Sequence, residues 1–339
     1  MNNLITTERA EELKGLLRSS RKIVIICHRS PDGDAMGSIL GFADYLREIG
    51  KMPIVVVPDQ YPDFLKWLPT IEKVLRYDKV PNLVKDQIEN ADTICCLDFA
   101  QYSRVDDLGE ILKQSKAQKV VFDHHEDPTI ETPWLFSFPE LSSACELTFR
   151  LICEMGGEER ITKRGATCLY CGMMTDTGAF TYASTRPEIY EIIGRLLQKG
   201  IDKDKIYRNV FNNFSVFKLK FWGYVLNEKM HYIEAKGASY FCVTKEELTR
   251  YHYIKGFSEG LVNQPLQIKG CRLSISLRED TKIENKVWVS LRSVDDMNCI
   301  EIAEKYFNGG GHFNAAGGSL NCSIQEAEEI AKKAISELK

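Results

Sequence analysis

The chain has 339 residues, 44% of them hydrophobic and 27% charged. That make-up allows two hydrophobic cores and excludes a disordered, collagen-like or disulfide-dense protein. With 44 Lys and Arg against 48 Asp and Glu the formal charge is -4, so the summed field does not gather long duplex nucleic acid, and any phosphate must be held by local groups.

The first residues lack the basic-then-apolar layout of a signal peptide, and no apolar run approaches a membrane span, so a cytoplasmic protein without membrane contact is expected. The eleven cysteines sit mostly inside apolar strings and read as small buried hydrophobes in a reducing compartment. Cys168 and Cys171 form a C-x-x-C, but no second pair stands at zinc-like spacing.

In chain order, β-rich runs at 23–27, 53–57, 93–97 and 119–122 alternate with helical patterns. The helical patterns lie at 35–49, 80–90, 107–115, 145–155, 163–174 and 187–198. Such alternation predicts a parallel sheet with helices on both faces. Ligands of such sheets bind beyond the carboxyl ends of the strands. Polar residues follow three of the four runs directly: His28, Asp98 and the triplet Asp123, His124, His125.

Past residue 200 the pattern loosens and then resumes as an aromatic-rich helical stretch at 216–230. The division expected is residues 1–199 for the sheet domain, 200–230 for a connection and 231–339 for a smaller α+β domain. Its strands are predicted at 231–235, 239–243, 271–278 and 287–292. Ser323 with Glu326 three residues on marks the start of its last helix by a capping box. Phe211, Phe214 and Phe217 would suit a homodimer contact.

His28-Arg29-Ser30-Pro31-Asp32-Gly33-Asp34 places an imidazole and two carboxylates on a turn entering a helix. These are mixed nitrogen and oxygen donors suited to Mn2+ or Mg2+. Taken alone, the same residues also read as a Pro-Asp-Gly turn in which an aspartate caps the helix. With Asp98, His124 and Asp176 added, several carboxylates gather at one sheet edge, and such clusters repel one another unless cations neutralise them.

This ordered set of motifs resembles the DHH phosphoesterases. The resemblance implies a binuclear Mn2+ site, with Mg2+ as the other choice, in which His28 and Asp32 hold one ion, Asp34, His124 and Asp176 hold the other, and Asp98 bridges. Two divalent ions about 3.5 to 4 Å apart acidify a water and screen phosphate oxygens, so that hydroxide attacks phosphorus. Asp123 is expected to orient a histidine, and His125 either donates a proton to the leaving oxygen or serves structure.

Gly309-Gly310-Gly311-His312, followed by Phe313-Asn314-Ala315-Ala316-Gly317-Gly318, resembles the glycine motif of the DHHA1 substrate domain. Glu259-Gly260-Leu261-Val262-Asn263 resembles a second signature of that domain. Free-standing, the glycines are either an anion-binding nest or a turn between a helix and a strand. Arg292, on a predicted strand end, offers a guanidinium to the same phosphate.

Ser142-Ser143-Ala144-Cys145-Glu146 resembles the serine-rich helix entrance of the oligoribonuclease and pAp-phosphatase subgroup, and Arg104 matches an arginine near its active site. In this chain Ala144-Cys145 replaces the usual Thr-Ser. The serines also read as a helix cap and Arg104 as a solvated charge.

The resemblance spans nearly the whole chain. It implies a hydrolase that cleaves short oligoribonucleotides to mononucleotides and converts 3′-phosphoadenosine 5′-phosphate to AMP. Other readings are an inorganic pyrophosphatase or exopolyphosphatase, a phosphodiesterase of linear dinucleotides and, outside enzymes, a metal-free nucleotide-binding regulator.

Overall fold

Side chains that fill a pleated surface favour extended backbone, and the apolar runs of the first half assemble one six-stranded sheet. Its strands are Ile23–Ile26 (β1), Ile54–Val57 (β2), Leu75–Arg76 (β3), Thr93–Leu97 (β4), Gln118–Asp123 (β5) and Trp134–Ser137 (β6). The order is β3-β2-β1-β4-β5-β6 and every pairing is parallel. The computed structural model describes residues 2–254, 256–258 and 260–338. Glu259, the first residue of the second expected DHHA1 signature, lies outside them.

Helices Thr7–Ser19 (α1), Gly33–Glu48 (α2), Pro81–Glu89 (α3), Leu108–Gln114 (α4), Ala144–Glu154 (α5), Lys163–Asp176 (α6), Pro187–Gln198 (α7) and Lys203–Phe211 (α8) complete the first unit. Alternate strand residues feed two cores. Ile23, Ile25, Cys95, Leu97 and Phe122 pack with α2, α5 and α6, while Val24, Ile26, Ile94, Cys96 and Val121 pack with α3 and α4. Helices therefore cover both faces, as a parallel sheet requires. The sheet order reverses between β1 and β4, and the crevice at that point is where ligands bind in this architecture.

The second unit has strands His231–Ile233 (β7), Ala238–Val243 (β8), Leu273–Glu279 (β9), Val287–Ser293 (β10), Gly310–His312 (β11) and Ala315–Leu320 (β12). Their order is β11-β12-β10-β9-β8-β7, antiparallel except for β8 with β9. Its helices are Val216–Tyr224 (α9), Lys245–Arg250 (α10), Cys299–Phe307 (α11) and Ile324–Ser336 (α12). Leu273, Ile275, Val289 and Leu291 pack on one face with Phe307, Ala327 and Ala331. The capping box of Ser323 and Glu326 opens α12 as expected.

The units are Met1–Asn213 and Phe214–Lys339. In the segment 200–230, expected as a linker and connecting helix, α8 lies in the first unit and α9 in the second. Of the aromatic residues expected to suit a dimer contact, Phe217 is 48% exposed. Phe211 packs on Tyr207 and Phe214 on Trp222, each with rings 5.1 Å apart.

All eleven cysteines are free. Cys168 and Cys171 are buried on α6 and burial pushes both thiols up, so this C-x-x-C serves as core. Among the described residues no helix is long and apolar enough to cross a membrane.

Candidate metal centre

Strand β1 ends two residues before His28, which is 6% exposed. Its Nδ1 lies 2.7 Å from the Arg29 carbonyl oxygen. Donation there fixes the tautomer and leaves Nε2 as the ligating atom. Asp32 caps α2: its Oδ1 accepts from the N–H groups of Asp34 and Ala35, both at 3.0 Å. The other oxygen, Oδ2, stands 3.8 Å from His28 Nε2.

Gly33 lets the start of α2 meet the end of α6, because a Cβ there would come within 2.2 Å of Thr175 Oγ1. That approach brings Asp34 beside Asp176, the last residue of α6. Asp34 is 1% exposed. Its Oδ2 accepts the N–H of Ala144 at 2.6 Å and its Oδ1 that of Cys145 at 2.9 Å, so the first turn of α5 grips both oxygens.

Asp98 follows β4 with φ +64, an unusual backbone for a residue with a side chain. Its Oδ2 is 3.3 Å from His28 Nε2 and its Oδ1 is 3.4 Å from His124 Nε2. Oδ1 is buried and has no hydrogen-bond partner. His124, after β5, also directs Nε2 toward Asp34 and Asp176, each 3.7 Å away.

Two ligand groups emerge, His28 with Asp32 and Asp98, and Asp34 with His124 and Asp176; Asp98 also groups with His124 and His125. In each group the ligand atoms lie within 4.8 Å of one another. Asp98 thus stands in reach of both histidines expected to hold different ions.

Charge in this crevice is unbalanced. Burial pulls Asp98 up, but the His124 and His28 imidazoles that face it hold it well below the usual carboxylate range. Burial works against a proton on His28, yet its bond to Asp98 and the charges of Asp32 and Asp98 raise it to about 9. Asp34 is pushed up to about 7, first by burial and then by Asp98. Protons here compensate clustered carboxylates, as divalent cations would. An orphaned carboxylate oxygen and mixed nitrogen and oxygen donors fit Mn2+ or Mg2+.

His125 sits beside these groups. Its Nδ1 is 2.8 Å from Asp123 Oδ1, and its Nε2 is 3.4 Å from Arg104 Nη2. Arg104 is placed by a short turn, Tyr102–Val105, whose Arg104 carbonyl accepts the Arg29 N–H at 2.7 Å.

The serines expected at the substrate take part in the entrance of α5. Ser143 caps α5 and accepts the Glu146 N–H at 2.9 Å, while Ser142 gives its N–H and hydroxyl to Glu146 Oε2 at 2.9 and 2.8 Å. Both are buried and engaged within the helix cap. The groups at this entrance that reach a site residue are the Ala144 and Cys145 amides. Only the S-x-x-E spacing of a cap hinted at them.

In the second unit, Arg292 pairs with Ala315 across β10 and β12, and Ala315 with His312 across β12 and β11. Residues directly opposite share a face, so Arg292 and His312 flank Ala315 on one side of the sheet. His312 is exposed, and Arg292 Nη1 also donates to the Leu291 carbonyl at 2.8 Å. The glycines differ from the loop expected: Gly310 and Gly311 form β11, and Gly309 leads into it. A Cβ on Gly309 would come within 1.8 Å of the Gly317 carbonyl oxygen, so close backbone packing already demands a glycine there.

Family models match this chain twice. The DHH family, N-terminal domain, covers residues 22–173 and the DHHA1 domain covers residues 253–339. The chain is 27% identical to the bifunctional oligoribonuclease and PAP phosphatase NrnA of Bacillus subtilis, covering 91% of this chain and 92% of that one. It is 29% identical to the protein of the same description from Thermus thermophilus, over 93% and 89% of the two chains. The crystal structure of an exopolyphosphatase-related protein from Bacteroides fragilis superposes with a TM-score of 0.96. Identity is 44%, with 99% of this chain and 98% of that one covered.

Proposed function

We propose that this chain, which belongs to the DHH phosphoesterase family and is a hydrolase of phosphate esters, acts on short oligoribonucleotides and on 3′-phosphoadenosine 5′-phosphate. The observation that carries the reading is the buried Asp98, with an unpartnered Oδ1, between the Nε2 atoms of His28 and His124. His28 and Asp32 would hold one Mn2+ ion and Asp34, His124 and Asp176 a second, with Asp98 in reach of both groups. Bound there, two divalent cations supply an acidified water and screening of phosphate charge.

The remaining steps belong to side chains. Asp123 accepts the hydrogen bond of the His125 Nδ1–H and fixes the ring, leaving Nε2 to give a proton to the leaving oxygen. Arg104, beside that nitrogen, offers its guanidinium to a phosphate oxygen. Arg292 and His312, on one face of the second sheet, hold a phosphate of the nucleotide, with the β11 backbone beside them. The net charge of -4 suits substrates of a few nucleotides, because no broad basic surface is needed to track a strand. A reducing cytoplasm suits eleven unpaired cysteines.

The deciding assay incubates the protein with Mn2+ and, separately, a labelled RNA trimer, 3′-phosphoadenosine 5′-phosphate and polyphosphate. Mononucleotide and AMP release is expected. Polyphosphate cleavage with neither nucleotide product would transfer the assignment to the activity suggested by the description of the Bacteroides relative.

A further inference from the structure

Glu146 is fully buried in the first turn of α5, yet it is an acid. Burying a carboxylate is unfavourable unless donors surround it, and four do. Oε2 accepts from the Ser142 N–H, the Ser142 hydroxyl and Arg186 Nη2 at 2.9, 2.8 and 2.5 Å, and Oε1 faces Arg150 Nη1 at 3.4 Å. Two residues of the same turn, Ala144 and Cys145, give their N–H groups to Asp34.

Arg186 arrives from a different direction. It closes the segment that leaves Asp176, and that segment is tightly built. Gly178, Ala179, Phe180 and Ala183 all have φ between 48° and 64°. Thr177 Oγ1 donates to the Met173 carbonyl and accepts the Phe180 N–H, and the Ala179 N–H reaches the Met174 carbonyl at 2.7 Å. Backbone held in the left-handed region persists only where its surroundings enforce it. The far end of this segment is fastened by Arg186 on Glu146.

We infer that Arg186 and Glu146 are a positioning pair that ties the segment following Asp176 to the helix start gripping Asp34, and so sets the spacing of two ligands to one cation. The inference rests on the metal reading above. Neither residue reaches the cation: each acts through a neighbour, as partners behind metal ligands commonly do, and losing such a partner costs about ten- to a hundredfold in metal affinity.

Stepwise Mn2+ titration by calorimetry tests it, alongside circular dichroism and thermal melting. Asp176→Asn identifies which binding step belongs to the Asp34, His124 and Asp176 group. Arg186→Gln is expected to weaken that step about ten- to a hundredfold and leave the other unchanged, with Arg186→Lys recovering part of the loss. Arg150→Met removes the donor on the opposite oxygen of Glu146 without touching the segment after Asp176. It should lower the melting temperature and leave both steps as in the wild type.

Equal weakening of both steps by Arg186→Gln, no weakening, or the same loss from Arg150→Met overturns the positioning role. If Arg186→Gln does not fold, wild-type steps in Arg186→Lys overturn it as well. A wild-type protein that shows no Mn2+ step overturns the metal reading itself, an outcome distinct from all of these.

Discussion

The Ala144 N–H donates to Asp34 Oδ2 at 2.6 Å, joining the start of α5 to a residue 110 positions earlier. With the Cys145 N–H on Oδ1, the carboxylate is oriented before any cation arrives. Asp34→Asn sets an amide NH2 against one of those N–H groups, orphaning a buried donor at about 1–3 kcal/mol. The variant should bind one Mn2+ where the wild type binds two, by calorimetry. Removing a negative charge from the cluster partly offsets the lost hydrogen bond, so its cation-free melting temperature should fall less than that cost implies. Unchanged stoichiometry would remove Asp34 from the ligand set.

Stability should depend on pH in opposite ways with and without cation. In the cation-free protein His28 keeps its proton up to about 9, against 6.5 for a free imidazole. A raised folded value stabilises fully below about 6.5, and that stabilisation is lost as pH rises through about 9. Asp34, raised to about 7 from 3.8, favours the folded state while protonated, and its advantage declines between about 4 and 7. Both slopes run downward with pH. Melting in the presence of a chelator should therefore show stability falling between pH 6.5 and 9, by about 3 kcal/mol at most from His28. Mn2+ competes with those protons, so its affinity should climb across the same range. A chelated protein that grows more stable from pH 6.5 to 9 would contradict the charge pattern of the crevice.

His125 and Asp123 separate from the ligands in their expected effects. Asp123→Asn replaces the acceptor of the His125 Nδ1 proton with a group that can turn a donor toward it. Rate on 3′-phosphoadenosine 5′-phosphate should drop about 10²- to 10⁴-fold, the range for loss of general acid–base help, while two Mn2+ ions still bind. His125→Gln should match it. If either variant instead loses a cation, His125 is a ligand, as its grouping with Asp98 and His124 also allows.

The parts of this fold that can be read directly are those whose side chains decide the conformation. β1, β2, β4 and β5 are β-branched or apolar runs, and the ligands His28, Asp98 and His124 follow three of them. β3 has two residues, and β6, at the sheet edge, is only partly buried, so neither carries a continuous apolar signal. Gly310 and Gly311 have no side chains to favour a strand, and their extended state comes from pairing with β12. The grip on Asp34 is made by backbone N–H groups, which every residue but proline possesses. The Ala144 and Cys145 amides that hold Asp34 follow directly on Ser142 and Ser143.

Arg292 and His312 stand opposite Ala315 from its two sides, one on β10 and the other on β11. They lie in the second unit, whereas all six proposed metal ligands lie in the first. Removing either should therefore spare Mn2+ binding and damage substrate use. His312→Ala deletes an exposed donor, so its folding should be intact. Arg292→Lys keeps the charge but loses the planar fork that grips two phosphate oxygens at once. Loss of a charge-assisted hydrogen bond is worth about 1.5–3 kcal/mol, which corresponds to roughly ten- to a hundredfold in kcat/KM for 3′-phosphoadenosine 5′-phosphate. The effect should shrink for a substrate without the second phosphate, such as bis(p-nitrophenyl) phosphate, because the contact that was deleted has nothing to hold there. Equal losses on both substrates would move Arg292 and His312 from phosphate recognition to the support of the sheet.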